Sequence, residues 1–203
     1  MSIGEQEREE ISAAIRMAEA MTSGEIFCVF ARASDDYRYI PLLWAALAAL
    51  ILPAPLILLT LWPVQIIYVA QLALFLALAL ALAWTPLRVR LVPGPVKRRR
   101  AHRHAFELFL THGLHMTEAR TGVLIFVSEA ERYAEVVADQ GIYERVDAAV
   151  WDEAAAALVA AARNGRPAAG FVKAIAICGE VLARHFPLTA GDRNELPNQL
   201  VEL

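Results

Sequence analysis

An uncharged stretch of 49 residues, 39–87, constrains the fold of this chain more than any other feature. It holds two apolar segments, residues 40–61 and 64–84, which Trp62 and Pro63 separate. Each segment is long enough, as a helix, to cross about 30 Å of hydrocarbon. Aromatic residues of the kind found at membrane interfaces lie near the proposed helix ends, namely Trp44, Trp62, Tyr68 and Trp84. We therefore predict a transmembrane helical hairpin at residues 39–87.

Two prolines, Pro53 and Pro55, lie in the middle of the first apolar segment. Neither has a backbone N–H, so two helical hydrogen bonds are lost there. Membrane helices tolerate proline when neighbouring groups satisfy the carbonyls that are freed. The sequence therefore predicts a kinked helix, and a re-entrant segment that does not cross the bilayer is the alternative.

The charges that flank the hairpin predict its orientation. The turn between the two segments has no Lys or Arg, whereas residues 88–103 hold seven basic and no acidic residues. Because cytoplasmic flanks of membrane helices are enriched in basic residues, we expect both termini and the non-membrane domain to lie in the cytoplasm, at the plasma or inner membrane. Residues 88–100 contain Pro93-Gly94-Pro95, which indicates a basic juxtamembrane elbow leaving the bilayer.

The basic residues also indicate a partner. Lys and Arg beside a membrane attract anionic lipid head groups, at about 1 kcal/mol per residue. Such a cluster also suits nucleic acid, but the rest of the chain has twelve basic against twenty-two acidic residues. This acidic balance, without an aromatic platform among the basic residues, argues against a nucleic-acid partner. We expect the partner of this segment to be the lipid bilayer.

Outside the hairpin, the hydrophobic pattern predicts alternating helices and strands. Unbroken apolar runs at residues 25–30 and 122–127 are typical of central strands, and a strand at 133–138 follows closely enough to form a hairpin with the second run. Helices are predicted at residues 5–21, 96–112, 148–164 and 168–185. Because residues 1–33 cannot bury a strand alone, we expect the two non-membrane parts, residues 1–38 and 101–203, to join in one α/β domain that contains the membrane hairpin as an insertion.

Several segments of the chain resemble the TPM domain family, which includes the thylakoid acid phosphatase-like proteins. The similar segments are 22–26 (TSGEI), 117–128 (TEARTGVLIFVS), 138–142 (ADQGI), 165–171 (GRPAAGF) and, as in bacterial membrane members, 191–198 (GDRNELPN). The resemblance implies a compact mixed sheet between helices. It also implies the properties to which members have been linked: phosphatase activity, divalent-cation binding, and assembly or repair of membrane complexes. The inserted hairpin and the expected cytoplasmic domain depart from the family's common plan, which has a signal peptide and an extracytoplasmic domain.

Carboxylates around the end of the third strand are candidate ligands for a divalent cation. Asp139 follows that strand directly, where ligand residues of α/β proteins often lie, and Glu129 and Asp147 are near it in sequence. Since Ca²⁺ and Mg²⁺ bind several oxygen ligands at once, Asp139, Asp147 and Glu129 are the predicted metal ligands. The alternative is structural, because Asp139 suits a turn and Asp147 is placed to cap the helix that begins at Ala148.

The other polar motifs do not display a catalytic group. His112 and His115 are residues of a type that binds zinc and lie three positions apart. Gly113, however, breaks the helix that would align them on a zinc ion. The sequence has no Gly-rich phosphate loop, no Gly-x-Ser-x-Gly elbow and no Cys–His pair. In the tail, residues 192–195 indicate a capping turn, from which later apolar residues pack back on the domain; closure of the tail over an acidic rim is the alternative.

Three functions fit these expectations. The leading one is a membrane-anchored interaction or assembly module at the cytoplasmic membrane face, with a membrane protein as its partner, because the chain offers an anchor and an acidic domain. The second is a divalent-cation-dependent, phosphatase-like hydrolase, which rests on the family resemblance. The third is a purely structural transmembrane protein whose hairpin pairs with other spans.

Overall fold

The computed structural model describes residues 3–83, 85–117, 119–189 and 193–203. Its contacts divide the chain into two units: one holds the residues up to Ser34 together with Arg98–Leu203, and the other is Asp35–Lys97. The helices are α1 (Glu5–Glu19), α2 (Tyr39–Ile51), α3 (Pro53–Leu59), α4 (Val64–Leu82), α5 (Thr85–Arg90), α6 (Gly94–Thr111), α7 (Gln140–Tyr143), α8 (Ala148–Arg163) and α9 (Pro167–His185), with a 3-10 turn at Leu114–Met116.

A four-stranded mixed sheet forms the centre of the first unit, in the order β3-β2-β1-β4. Its strands are β1 (Glu25–Ala31), β2 (Gly122–Ser128), β3 (Tyr133–Ala138) and β4 (Leu200–Glu202). β1 pairs in parallel with β2 and β4, whereas β2 and β3 pair antiparallel. Every residue of β1 and β2 is buried, as the unbroken apolar runs predicted. The mixed α/β fold, its two central strands and the β2–β3 hairpin are confirmed.

The two faces of this sheet are covered by different helices, because successive side chains of a strand point to opposite sides. One face carries Ile26, Cys28 and Ile125, and it packs in a single core with α1, α8 and α9. The other face carries Phe27 and Phe126, and it packs against α6. The α6 side chains in that core are Ala101, Ala105, Leu108 and Phe109.

Glycine permits the close helix contacts on the first face. A Cβ atom at Gly179 in α9 would lie 2.7 Å from the Cβ of Ala18 in α1. Likewise, a Cβ atom at Gly170 would lie 2.8 Å from the Cβ of Ala161 in α8. Such distances are shorter than carbon atoms allow, so α9 approaches both neighbours as closely as it does only because these two residues lack side chains.

The second unit contains the uncharged residues. Tyr39–Leu59 and Val64–Leu82 are both long and apolar enough to cross a membrane, and only 11% and 6% of their most apolar windows are buried within the structure. The first helix is interrupted at Leu52, directly before Pro53, although Leu52 keeps helical dihedral angles of −54° and −42°. This position agrees with the loss of backbone donors predicted for the two prolines. Trp84, one of the proposed interfacial aromatics, lies outside the described residues.

The tail contains a strand that the sequence pattern did not predict. Leu200–Glu202 pairs with Cys28–Phe30 at the edge of β1, and Leu203 donates its N–H to the carbonyl of Phe30 at 3.1 Å. Leu200 packs against one core and Val201 against the other, so the tail packs back on the domain as predicted. Three residues carry too weak a β pattern to be recognised, and only the open edge of β1 makes them a strand.

Candidate functional site

Two of the three predicted metal ligands, Asp139 and Glu129, lie at opposite ends of the sheet. Asp139 follows β3 and donates its N–H to the carbonyl of Gly122, the first residue of β2. Glu129 follows the last residue of β2 and donates its N–H to the carbonyl of Ala31 at 2.9 Å. Asp139 and Glu129 are therefore separated by the length of β2. This length is about 20 Å, because a strand rises by about 3.3 Å per residue. Because cation–oxygen distances are about 2.3–2.6 Å for calcium, one ion cannot be held by both Asp139 and Glu129.

Asp139 and Asp147 both have a structural role that their sequence context predicted. Asp139 is the N-cap of the short helix α7 and accepts a hydrogen bond from Gln140 N at 2.6 Å. Asp147 is the N-cap of α8 and accepts from Ala149 N at 3.0 Å. Among the described residues, no three His, Cys, Asp or Glu side chains come together in a way that could hold a metal ion.

Asp139 nevertheless differs from Asp147 in one respect. Its side chain is only 6% exposed, and its Oδ2 atom is buried without a hydrogen-bond partner among the described residues. A buried carboxylate oxygen without a donor is energetically costly. Of the predicted ligands, Asp139 is therefore the one that offers a free, buried oxygen.

A second polar group lies at the end of the sheet where Glu129 is found. Glu131 is 8% exposed and accepts hydrogen bonds from Ser128 Oγ and from Ser34 N. Ser34 Oγ donates in turn to Ser128 Oγ at 2.9 Å. The carboxylate of Glu131 thus ties the residue that ends β2 to the loop that follows β1.

A cleft of about 230 Å³ opens between α1, the start of β1 and the tail. Two carboxylates define it, Glu19 at the end of α1 and Glu25 at the start of β1. Its lining residues are Arg16, Glu19, Ala20, Thr22, Glu25, Leu188, Asn194 and Asn198.

Both carboxylates of the cleft accept hydrogen bonds from backbone N–H groups or from a side chain of the tail. Glu19 accepts from Ile26 N at 2.8 Å and from Asn198 Nδ2 at 2.5 Å. Glu25 accepts from the backbone N–H groups of Glu195 and Leu196 at 3.1 and 3.3 Å. The pair therefore fastens the tail to the domain just before β4.

Burial, which is the largest cause, and the nearby Glu25 raise the pKa of Glu19 to about 7, and the hydrogen bonds from Ile26 and Asn198 keep it from rising further. A carboxyl group with such a pKa exchanges its proton near neutral pH. The cleft thus combines a proton-exchanging group with a second carboxylate and two amide side chains.

This pKa predicts how stability depends on pH. A carboxyl whose pKa is higher in the folded than in the unfolded state binds its proton more tightly when folded, so ionisation destabilises the fold. We expect the contribution of Glu19 to be fully present below its ordinary pKa of 4.5 and to be lost as the pH rises through about 7. Thermal unfolding across this window should show a falling midpoint, and Glu19→Gln should flatten the fall.

The matched control is Glu153→Gln, on the exposed surface of α8, which should leave the pH profile of the midpoint unchanged. If Glu19→Gln keeps the wild-type slope, the pH dependence arises from other groups and the protonation of Glu19 does not affect stability.

Signals for this cleft are present in the sequence, although the pattern analysis did not identify it. Glu19 and Glu25 flank the turn at Thr22-Ser23-Gly24, and Glu25 belongs to a segment that resembles the family. Asn194 belongs to the polar cluster of the tail, whose Asp192 lies outside the described residues. The pattern could not show that a helix end, a strand start and a tail 170 residues away meet.

Comparison with known proteins agrees with this fold. Residues 86–181 match the family model of the TPM domain. The chain is also similar to the BA42 protein from the psychrophilic bacterium Bizionia argentinensis, whose structure was determined by NMR. The TM-score is 0.63 at 21% identity, and the match covers 100% of this chain and 96% of that one. No curated protein matches the chain at a significant level. The family match therefore assigns residues 86–181 to the TPM domain, and the structural similarity shows that this chain shares the fold of BA42.

Proposed function

We propose that this protein is a membrane-anchored TPM-domain protein that acts as an interaction or assembly module at the cytoplasmic face of the membrane. The observation that carries the proposal is the exposed apolar surface of the second unit. Leu58 and Leu59 are each 82% exposed, and Leu80 is 76% exposed. Removing such a side chain from water stabilises by about 1.5–3 kcal/mol, so these helices need an apolar environment.

A lipid bilayer is the environment that suits both helices. A helix pairs its backbone groups within the segment, which is the condition for lying in hydrocarbon, and membrane helices tolerate prolines such as Pro53 and Pro55 when neighbouring groups satisfy the freed carbonyls. The basic residues that follow the second helix and their absence from the intervening turn favour a cytoplasmic location of both termini. The anchored domain would then meet its partner, a membrane protein, at the bilayer surface.

Membrane fractionation tests the anchor. The full chain should remain in the membrane pellet after alkaline carbonate extraction, because a spanning hairpin is not released by loss of surface charge. A version in which a short polar linker replaces residues 39–87 should be released completely. Release of the full chain by carbonate would rule out the anchor.

Cysteine labelling tests the orientation. Cys28 and Cys178, the natural cysteines, are buried and free, so a thiol introduced at the exposed Gln199 reports on the tail alone. With Gln199→Cys, an impermeant maleimide should label lysed cells but not intact ones. Labelling of intact cells would place the tail outside and contradict the cytoplasmic assignment.

The assembly role itself requires a partner. In vivo crosslinking followed by purification in detergent should recover a specific membrane protein with the full chain. The linker version should lose this partner if the hairpin alone makes the contact, which is the purely structural alternative. Turnover of a generic phosphomonoester that stops in chelator, without a recovered partner, would instead favour the hydrolase.

A second candidate function, weak divalent-cation binding centred on Asp139, is favoured by the buried and unpartnered Oδ2 of this residue. A cation near this oxygen would compensate the buried charge. Glu129 is too far away to contribute, so further ligands would be backbone carbonyls or water, as calcium accepts.

Thermal unfolding with and without Ca²⁺ or Mg²⁺ tests this second function. An ion at about 100 times its Kd stabilises the folded state by about 2.7 kcal/mol, so the unfolding midpoint of the wild type should rise by several degrees. Asp139→Asn should abolish the rise while keeping an N-cap oxygen. Asp147→Asn is the matched control, since it changes the other cap and should keep the rise. A wild-type midpoint that ignores both ions would leave Asp139 as a cap only.

A further inference from the structure

The outer face of α6 carries a stripe of two arginines and two large apolar residues. Ala101, Ala105, Leu108 and Phe109 form the buried face of this helix. Arg99, Arg103, Phe106 and Leu110, spaced i, i+4, i+7 and i+11, fall on the opposite side, and all four are exposed. At 1.5 Å per residue the stripe is about 16 Å long. We call these four residues the α6 stripe.

The apolar half of the α6 stripe is open to solvent. Phe106 is 48% exposed and Leu110 is 43% exposed, and they lie one helical turn apart, so their side chains are neighbours. The buried residues of α6 already cover their face of the sheet. Phe106 and Leu110 therefore form an exposed apolar patch that is not part of the core.

The basic half of the α6 stripe is not neutralised within the described part of the chain. Neither Arg99 nor Arg103 forms an ion pair with any described residue. Glu107 lies one turn from Arg103 on α6 but forms no ion pair with it, and Glu135 is engaged by His102 at 2.9 Å and by the hydroxyl of Tyr133. The positive charges of Arg99 and Arg103 are thus available to an anionic partner.

We propose that the α6 stripe lies on the surface of an anionic bilayer, with Arg99 and Arg103 at lipid phosphates and with Phe106 and Leu110 in the interfacial region. Helices that bind in this way combine basic and apolar residues on one side, and anionic head groups attract basic residues within a Debye length of the surface. The stripe also follows the hairpin closely, since α6 begins twelve residues after α4 ends.

This inference rests on the proposed membrane anchor, because the hairpin would hold α6 near the surface. The contact would orient the α/β domain and leave its other face, with α1, α8 and α9, directed to the cytoplasm. An anionic bilayer is favoured over a protein groove because the basic and apolar residues are arranged along the helix rather than around a central apolar anchor.

The test uses the full chain in vesicles of phosphatidylcholine with or without phosphatidylglycerol. An environment-sensitive bimane label is attached at Leu110→Cys, while the natural cysteines stay buried. The matched control is Ala156→Cys, which is exposed on α8 across the sheet. We expect the label at position 110 to shift to the blue, and to be quenched by brominated acyl chains, only with phosphatidylglycerol. The control label should remain aqueous in both vesicles.

Removing both charges tests the basic half. Arg99→Gln together with Arg103→Gln should return the label at position 110 to an aqueous spectrum in phosphatidylglycerol vesicles. A label that stays aqueous in both lipids, while the chain resists carbonate extraction, overturns the inference and leaves the anchor intact. A blue shift that does not depend on phosphatidylglycerol shows that anionic head groups are not required for the contact and also overturns the inference. A chain that carbonate releases from the vesicles contradicts both the anchor and the surface contact.

Discussion

Phe126→Ala should destabilise the α/β domain by about 3–5 kcal/mol, the range for removing a fully buried phenylalanine. Phe126 is 0% exposed and lies in the middle of β2, on the face that packs against α6. Its ring meets the edge of His104, with ring centroids 5.7 Å apart. The surrounding strands are fixed by backbone pairing on both sides, so they cannot close the cavity. Because typical domains are stable by only about 5–15 kcal/mol, this loss is severe.

Phe106→Ala is the matched control for this substitution. Phe106 has the same side chain but is 48% exposed on α6, so we expect a change within about 0.5 kcal/mol. Both can be measured in detergent by following the labelling of Cys28 and Cys178 against denaturant concentration. These buried thiols report on the α/β domain alone. Equal losses for the two variants would contradict the placement of Phe126 in the core.

Gly122→Ala should destabilise the domain by about 2–3 kcal/mol, which is near the upper end of the usual cost of overpacking. A Cβ atom at this position would lie 2.3 Å from the carbonyl oxygen of Leu114. A backbone atom cannot rotate away as a side chain can, and Leu114 is itself fully buried. The 3-10 turn at Leu114–Met116 would therefore have to move out of the core.

Gly94→Ala is the control, because a Cβ atom there has no other atom within 4 Å. It should leave the stability of the α/β domain unchanged in the same labelling experiment. If Gly122→Ala behaved like Gly94→Ala, the close contact between the 3-10 turn and β2 would be disproved.

Most of the helices and strands could be predicted from the sequence because their signals are local. β2 is an apolar run, β3 is a short β-prone segment bounded by turn residues, and the β2–β3 connection is short enough to form a hairpin. The helix predicted at 96–112 ends next to Gly113, whose φ of 71° is one that glycine adopts easily. The cap at Asp147 also depends on neighbouring residues, so its context was sufficient, whereas Asp139 was predicted only as a turn residue. The short helix α7 and the 3-10 turn were not predicted. They have four and three residues, which is too few for a helical hydrophobic period to be recognised.

The candidate site was decided by the tertiary structure. Asp139 and Glu129 are ten residues apart in the chain, and their proximity in sequence suggested a shared ion. Antiparallel pairing of β2 and β3 instead places them at opposite ends of the sheet. Conversely, Glu25 and Leu196 are 171 residues apart and form a hydrogen bond. Strand pairing is non-local, so it can separate near neighbours and join distant residues.

Residue order alone predicts the long uncharged segment and the α/β domain of this chain, because segment length, charge and apolar period are local properties of the sequence. The three-residue strand β4, the cleft between Glu19 and Glu25, and the exposed α6 stripe were decided only by the tertiary structure. β4 exists because the edge of β1 has free backbone groups. The raised pKa of Glu19 exists because burial removes water from its carboxyl group. Neither the free edge nor the burial is a property of the local sequence.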